Sequence, residues 1–149
     1  MVAISREEYL DMYEVVGAAM RVHEVLHRGL EESVYQEALG IEFRRRGIEA
    51  TPQYPIHCYY DGEEMNKFFI ADYYYNGVVV ELKSAEMLCS EHRAQLFNYM
   101  RLTNSVRGVL INFGEKSLRA ERFLYDADID DFVLLSEVNY KSHISDIKD

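Results

Sequence analysis

Two carboxylates and an ammonium fall within one short stretch, Asp72-Tyr73-Tyr74-Tyr75-Asn76-Gly77-Val78-Val79-Val80-Glu81-Leu82-Lys83. Asn-Gly between aromatic and β-branched runs is a strong signal for a two-residue hairpin loop. With Asn76 and Gly77 in the loop, Tyr75 pairs with Val78, Tyr74 with Val79 and Tyr73 with Val80, and Asp72 falls opposite Glu81. Opposed like charges destabilise a strand pair unless something positive lies between them. Period-two alternation puts Lys83 on the face of Glu81. The pattern therefore asks for a cation, which is either Lys83 as a structural bridge or a bound ion.

The elements around this hairpin can be read from periodicity. Apolar residues Tyr9, Tyr13, Val16 and Met20 recur at helical spacing from Arg6 to about His27, with Ser5 and Glu8 placed for a capping box. After Gly29 a second helix is predicted over 30–46, with Val34, Ala38 and Ile41 on one stripe, Tyr35, Leu39 and Phe43 beside it, and Gly47 as C-cap. Arg44, Arg45 and Arg46 then sit in its last turn, where cations favour the helix dipole. From Pro52 the period changes to that of strands: 56–60, a turn at Asp61-Gly62, 68–75, and 78–84, forming an antiparallel three-strand meander. Ser90 is placed to cap a third helix on which His92, Gln95 and Tyr99 share a face. An apolar strand follows over 106–113, then strands over 118–125 and 132–135. The polar stretch 139–149 reads as a loosely held tail.

Composition limits the functional classes. A chain of 149 residues suits one domain, here 1–138, and its balance of apolar and charged residues is that of a globular protein rather than a disordered one. No run approaches a membrane span and the N-terminus lacks a signal-peptide core, so the expectation is a cytoplasmic protein with no membrane partner. Cys58 and Cys89 have no CxxC spacing, which supports neither a zinc site nor a disulfide framework. The net charge of -10 gives no global electrostatic footprint for nucleic acid, so any polyanion contact needs a local basic patch, metal ions or a basic partner. Asp126, Asp128, Asp130 and Asp131 read as a solvated acidic loop.

The order helix, helix, three strands, helix, strand resembles the PD-(D/E)XK nuclease superfamily. Gly29-Leu30-Glu31-Glu32-Ser33-Val34-Tyr35 matches the GxxExxY signature that names one family within it. The resemblance runs from about Tyr13 to Tyr125. It takes in Val22-His23, Phe69-Ile70-Ala71-Asp72, Glu81-Leu82-Lys83, Gln95-Leu96-Phe97-Asn98-Tyr99 and Leu110-Ile111-Asn112-Phe113-Gly114. His27-Arg28 depart from it, standing where relatives have Gly-Pro before the signature glycine. It implies an α/β fold with a restriction-endonuclease-like core, a mixed central sheet carrying the antiparallel meander and flanked by helices.

The resemblance further implies Glu32, Asp72 and Glu81 as ligands of Mg²⁺ or Mn²⁺, the Leu82 carbonyl as another, and Lys83 as the group that orients the attacking water. Gln95 and Tyr99 resemble a QxxxY motif in which the amide braces a ligand carboxylate and the phenol touches a phosphate; their spacing puts both on one helical face. On residues alone, Tyr99 packs in the core and Gln95 caps a loop. His23 extends the apolar stripe of the first helix as a packing residue, although its family position would bring it near the site. The expected function is a Mg²⁺-dependent nuclease acting on DNA, with nucleic acid as partner and a protein partner or second copy as further expectations. The competing readings are a catalytically silent binding module on the same scaffold, and a structural triad in which Lys83 bridges Asp72 and Glu81.

Overall fold

The computed structural model describes residues 1–146, so that the last three residues of the expected tail lie outside the described residues. Helices α1 (Arg6–Leu26) and α2 (Glu32–Arg45) precede β1 (Thr51–Tyr60), β2 (Glu63–Tyr75) and β3 (Val78–Lys83). After these come α3 (Ser90–Leu102), β4 (Arg107–Asn112), β5 (Arg119–Asp126), β6 (Asp131–Leu135) and a 3₁₀ turn, Tyr140–His143. The strands form one six-stranded sheet in chain order. Only β3 and β4 run parallel, joined by α3 as a crossover; the other neighbours are antiparallel, so the sheet is mixed as expected.

The helices cover both faces. α1 and α2 bury Met12, Val15, Ala18, Ala19, Val22, Tyr35, Leu39 and Phe43 against Tyr73, Val78, Val80, Leu82, Val109 and Ile111. α3 buries Leu96, Tyr99 and Met100 against Ile56, Ala71, Val79 and Leu110 on the opposite face. Of the two stripes expected on α2, Tyr35, Leu39 and Phe43 are buried while Val34 and Ile41 are exposed; on α1 the stripe differs from the expected one, Tyr13 and Met20 being exposed while the neighbouring stripe packs. On α1 that stripe carries Ala18 and Ala19, whose small side chains let a helix lie close to its neighbours. At the helix ends, Ser5 and Glu8 form the expected capping box, Gly47 follows the cap residue Arg46, and Cys89 rather than Ser90 is the N-cap of α3.

The hairpin register is the predicted one over its first three rungs, but the ladder ends there and Asp72 is not paired with Glu81. Asn76 (φ 49) and Gly77 (φ 84) supply the two positive φ values of a type I′ turn, and Tyr75, Tyr74 and Tyr73 pair with Val78, Val79 and Val80. Arg107, buried on β4, fixes this turn to α1. Its guanidinium donates to the Asn76 carbonyl, to the Glu8 carbonyl at 2.8 Å and to Asp11 Oδ2 at 3.0 Å.

Beyond Tyr73 the two strands part. β2 runs out to Glu63 with β1 as its only neighbour, forming a two-stranded arm longer than the predicted strands 56–60 and 68–75. At the point of departure Gln53, opposite Asp72, takes φ 50, and β2 changes face: Tyr73 packs toward α2, whereas Ala71 packs toward α3. β1 is an edge strand carrying Pro52 and Pro55, with a register shift between His57 and Tyr59.

The segment expected as a loose tail is tied down as far as it is described. Ile4 and Ile144 form a parallel bridge, His143 is buried, and its Nδ1 lies 2.7 Å from the Val2 carbonyl. Apolar Ile144, closing over Ile4, is what a reading of the tail as uniformly polar overlooked.

Candidate functional site

The carboxylates of the hairpin do meet, at the place where β2 leaves β3. Leu82, having lost a ladder partner, donates its N–H to Asp72 Oδ2 at 2.8 Å. Glu81 is 3% exposed, and its Oε1 is a buried polar atom without a hydrogen-bond partner. Burial, followed by the hydrogen bond and charge of the Asp72 carboxyl, pushes the Glu81 carboxyl up to about 10, against weaker opposing effects of the Lys83 charge and the Asp72 backbone. Without a cation Glu81 therefore holds a proton at neutral pH.

Lys83 does not bridge the pair. Its Nζ donates to Gln95 Oε1 at 2.8 Å, and Gln95 Nε2 in turn donates to the Tyr99 hydroxyl at 3.0 Å. The structural-triad expectation is thus overturned, because α3 lies over this end of β3 and supplies a neutral acceptor for the ammonium. Gln95 makes no hydrogen bond to a carboxylate in this arrangement: its oxygen accepts from Lys83 and its amide nitrogen donates to Tyr99. Tyr99 is buried, with its ring tilted against Phe69 at 5.6 Å. Burial pushes its phenol up; the Gln95 hydrogen bond opposes this and the charges of Glu81 and Asp72 add to it.

Glu32 is exposed as the first residue of α2. Among the described residues no group of three or more His, Cys, Asp or Glu side chains is gathered to hold a metal ion, so the structure brings Asp72 and Glu81 together but not Glu32 with them. α2 is nonetheless attached to this corner of the sheet. Gln36, one turn after Glu32, donates to the Asp72 carbonyl at 3.4 Å, and the Tyr73 hydroxyl donates to the Gln36 carbonyl at 2.5 Å. Tyr35 closes the loop before the helix by donating to the His27 carbonyl at 2.5 Å and accepting from Leu30 N–H at 3.2 Å. Ser84, just after β3, donates to the Leu30 carbonyl at 2.7 Å. His27 takes φ 58, ψ -168, a conformation that favours glycine and costs other residues about 1–3 kcal/mol. It stands where the resemblance expects glycine.

Periodicity gave no signal for Asn112. Its side chain is fully buried and its amide grips Ala85 from both sides, accepting from Ala85 N at 3.0 Å and donating to Ala85 O at 2.9 Å, so the chain leaving Lys83 cannot drift. Gly114 is required beside it, because a Cβ there would lie 2.1 Å from the Ala85 carbonyl oxygen. Phe113 stacks on Tyr35 at 4.5 Å, and His23 packs near Phe113 with Nε2 2.9 Å from the Glu115 carbonyl. His23 is therefore a packing residue and does not serve the carboxylates.

A fixed carboxylate pair with one unpartnered oxygen fits a hard divalent cation that keeps several of its waters. A softer metal is disfavoured by the absence of sulfur and imidazole from the donor set.

Residues 10–123 match the family model described as the PD-(D/E)XK nuclease superfamily. No curated protein matches the chain. A solved structure described as the crystal structure of SSO0001 is similar over 72% of this chain, at 17% identity and a TM-score of 0.40; the chain spans 65% of that structure's length. Among the described residues, no helix is long and apolar enough to cross a membrane.

Proposed function

The chain belongs to the PD-(D/E)XK nuclease superfamily, and from that premise we propose that it is a Mg²⁺- or Mn²⁺-dependent nuclease of the GxxExxY family that hydrolyses phosphodiester bonds of DNA. The observation that carries the proposal is the buried, unpartnered Oε1 of Glu81 beside Asp72. Asp72 offers one oxygen, since Oδ2 is held by Leu82 N–H. Glu81 offers Oε1 once it gives up its proton. The Leu82 carbonyl and Glu32 are the remaining donors. A divalent ion there supplies Lewis acidity that neutralises charge developing on phosphorus and acidifies water.

The chain's own groups do the positioning. Gln95 holds the Lys83 ammonium, which orients the water for in-line attack and stabilises the anionic transition state. Tyr99 accepts from Gln95, so its own hydrogen is free to donate to a phosphate oxygen, and its raised pKa keeps it there. Free Cys58 and Cys89 fit a reducing, cytoplasmic setting.

Incubation of the purified protein with single- and double-stranded DNA and RNA in Mg²⁺ or Mn²⁺ tests this. Cleavage is expected on DNA and is lost in Glu81→Ala and Lys83→Ala; activity no greater than in those variants would falsify the reading. A second reading, a catalytically silent binding module, is favoured by the net charge of -10 and by the separation of Glu32 from the carboxylate pair. Calorimetry with Mn²⁺ separates the two: stoichiometric binding that Asp72→Asn abolishes supports the nuclease, and no binding supports the module.

A further inference from the structure

A groove of about 360 Å³ lies between α3 and β2, lined by Phe69, Glu91, Ala94, Gln95, Asn98 and Tyr99. Its size is at the small end of the range for ligand sites. One wall is the Phe69 ring on β2, against which the Tyr99 ring is tilted. The other is a single face of α3, because positions 91, 94, 95, 98 and 99 repeat at helical spacing. Glu91 and Asn98 are exposed, and neither side chain has a hydrogen-bond or ion-pair partner among the described residues. Gln95 and Tyr99 belong both to the groove and to the hydrogen-bonded chain from Lys83, so the groove opens directly off the site.

Charge decides what can enter. The Glu91 carboxylate repels phosphate, so the backbone of a nucleic acid stays outside, near Lys83 and Lys67, whose Nζ lies 5.1 Å from the Phe69 ring centroid. A flat, neutral base is a better occupant. It stacks on the face of the Phe69 ring away from the Lys67 ammonium, presents amino hydrogens to Glu91, and pairs its edge with the Asn98 amide. Carboxylates accept from the cytosine amine, and Asn pairs bidentately with adenine, whereas thymine and uracil turn a carbonyl oxygen to the same place. We propose that this groove is a subsite for one unpaired adenine or cytosine next to the phosphate that is cut. The proposal rests on the nuclease reading for its phosphate. It makes the substrate single-stranded or locally melted, because a base inside a duplex has both faces covered by its stacked neighbours.

Fluorescein-labelled 12-mers of oligo-dA, oligo-dC and oligo-dT, and a 12-base-pair duplex, are the probes. Their affinities are read by anisotropy in Ca²⁺, with the recovered DNA checked for length. Oligo-dA and oligo-dC are expected to bind about tenfold tighter than oligo-dT, and tighter than the duplex. Asn98→Ala should weaken oligo-dA by about tenfold and leave oligo-dT nearly unchanged, and Glu91→Gln should narrow the preference. Both positions are exposed, so these variants fold. Equal affinity for all three oligonucleotides, no binding of any, or an Asn98→Ala protein indistinguishable from wild type overturns the subsite. Mn²⁺ calorimetry on the same preparations keeps the two readings apart. Metal binding without base preference overturns the groove alone, and base preference without metal binding or cleavage supports the groove while removing the nuclease.

Discussion

Glu81 on β3 and Glu121 on β5 stand on one rung of the sheet, each in register with Leu110 of β4, which lies between them. Both are 3% exposed, both face α3, and they have opposite electrostatics. Arg93 grips Glu121 through Nε to Oε1 at 2.7 Å and Nη2 to Oε2 at 3.0 Å, and Arg119 adds a contact at 3.1 Å. Hydrogen bonds from Arg93, opposed by burial and joined by Arg119, hold the Glu121 carboxyl below its ordinary range. Glu81 has Asp72 for a neighbour, and the nearest ammonium is tied to Gln95. The sheet thus holds one buried acid ionised by its own arginines and leaves the other without a positive partner, and protonated. Stability explains the first arrangement and not the second, which is why Glu81 and not Glu121 is the functional candidate.

The comparison can be broken most forcefully at Glu121. Arg93→Ala leaves that acid with only the exposed Arg119, and about 2–4 kcal/mol of stability should be lost in urea unfolding, reduced from the fully buried case because Arg93 is one-third exposed. A loss under about 0.5 kcal/mol, the size of an ordinary surface substitution, would mean that Glu121 does not depend on its arginines.

The next effect has the opposite sign. Glu81 keeps its proton when folded and releases it on unfolding between its ordinary value and about 10, so the cation-free protein loses stability as pH rises through that window. The slope is at most about 1.4 kcal/mol per pH unit. Glu121, with a lowered pKa, contributes above the ordinary carboxylate range and loses its contribution only as the solution becomes acid, so that of the two acids only Glu81 adds a slope between pH 5 and 8. Melts in EDTA across that interval should show a slope that Glu81→Gln flattens and that saturating Mn²⁺ offsets at the alkaline end. Parallel curves for wild type and Glu81→Gln would refute the assignment.

The smallest effect sharpens the contrast by converting one acid toward the other. Gln95→Leu removes the acceptor that holds Lys83, freeing the ammonium to approach Glu81 on the same strand face. A closer ammonium lowers the folded-state value, so the pH window over which stability is lost should shrink from its alkaline side, and Mn²⁺ should bind more weakly. An unchanged window would show that Lys83 cannot reach Glu81.

The acid pair was legible because an Asn-Gly loop admits one register, and counting outward from it places Asp72 against Glu81. The order of elements followed from periodicity and from the spacing of the quoted motifs. Other features were set by contacts that no local pattern records. Tyr13 and Met20 form as regular a stripe as Met12 and Ala19; the close approach of α1 to its neighbours selects the second. Lys83 was given a role by resemblance, but its partner is a residue on a packed helix. Asn112 lies in an apolar strand where an amide reads as an interruption, and only the path of Ala85 beside it explains it.

The arm that carries the aromatic wall of the groove is also an edge of the sheet, and unpaired strand edges invite other strands to add to them. Pro52 and Pro55 lack the N–H groups such an addition requires, and the register shift after His57 interrupts the row. The far edge, β6, is only five residues long. The sheet therefore resists extension at either end, so a partner has to be recognised through side chains. The arm can stand out beside a nucleic acid without seeding aggregation of the protein that bears it.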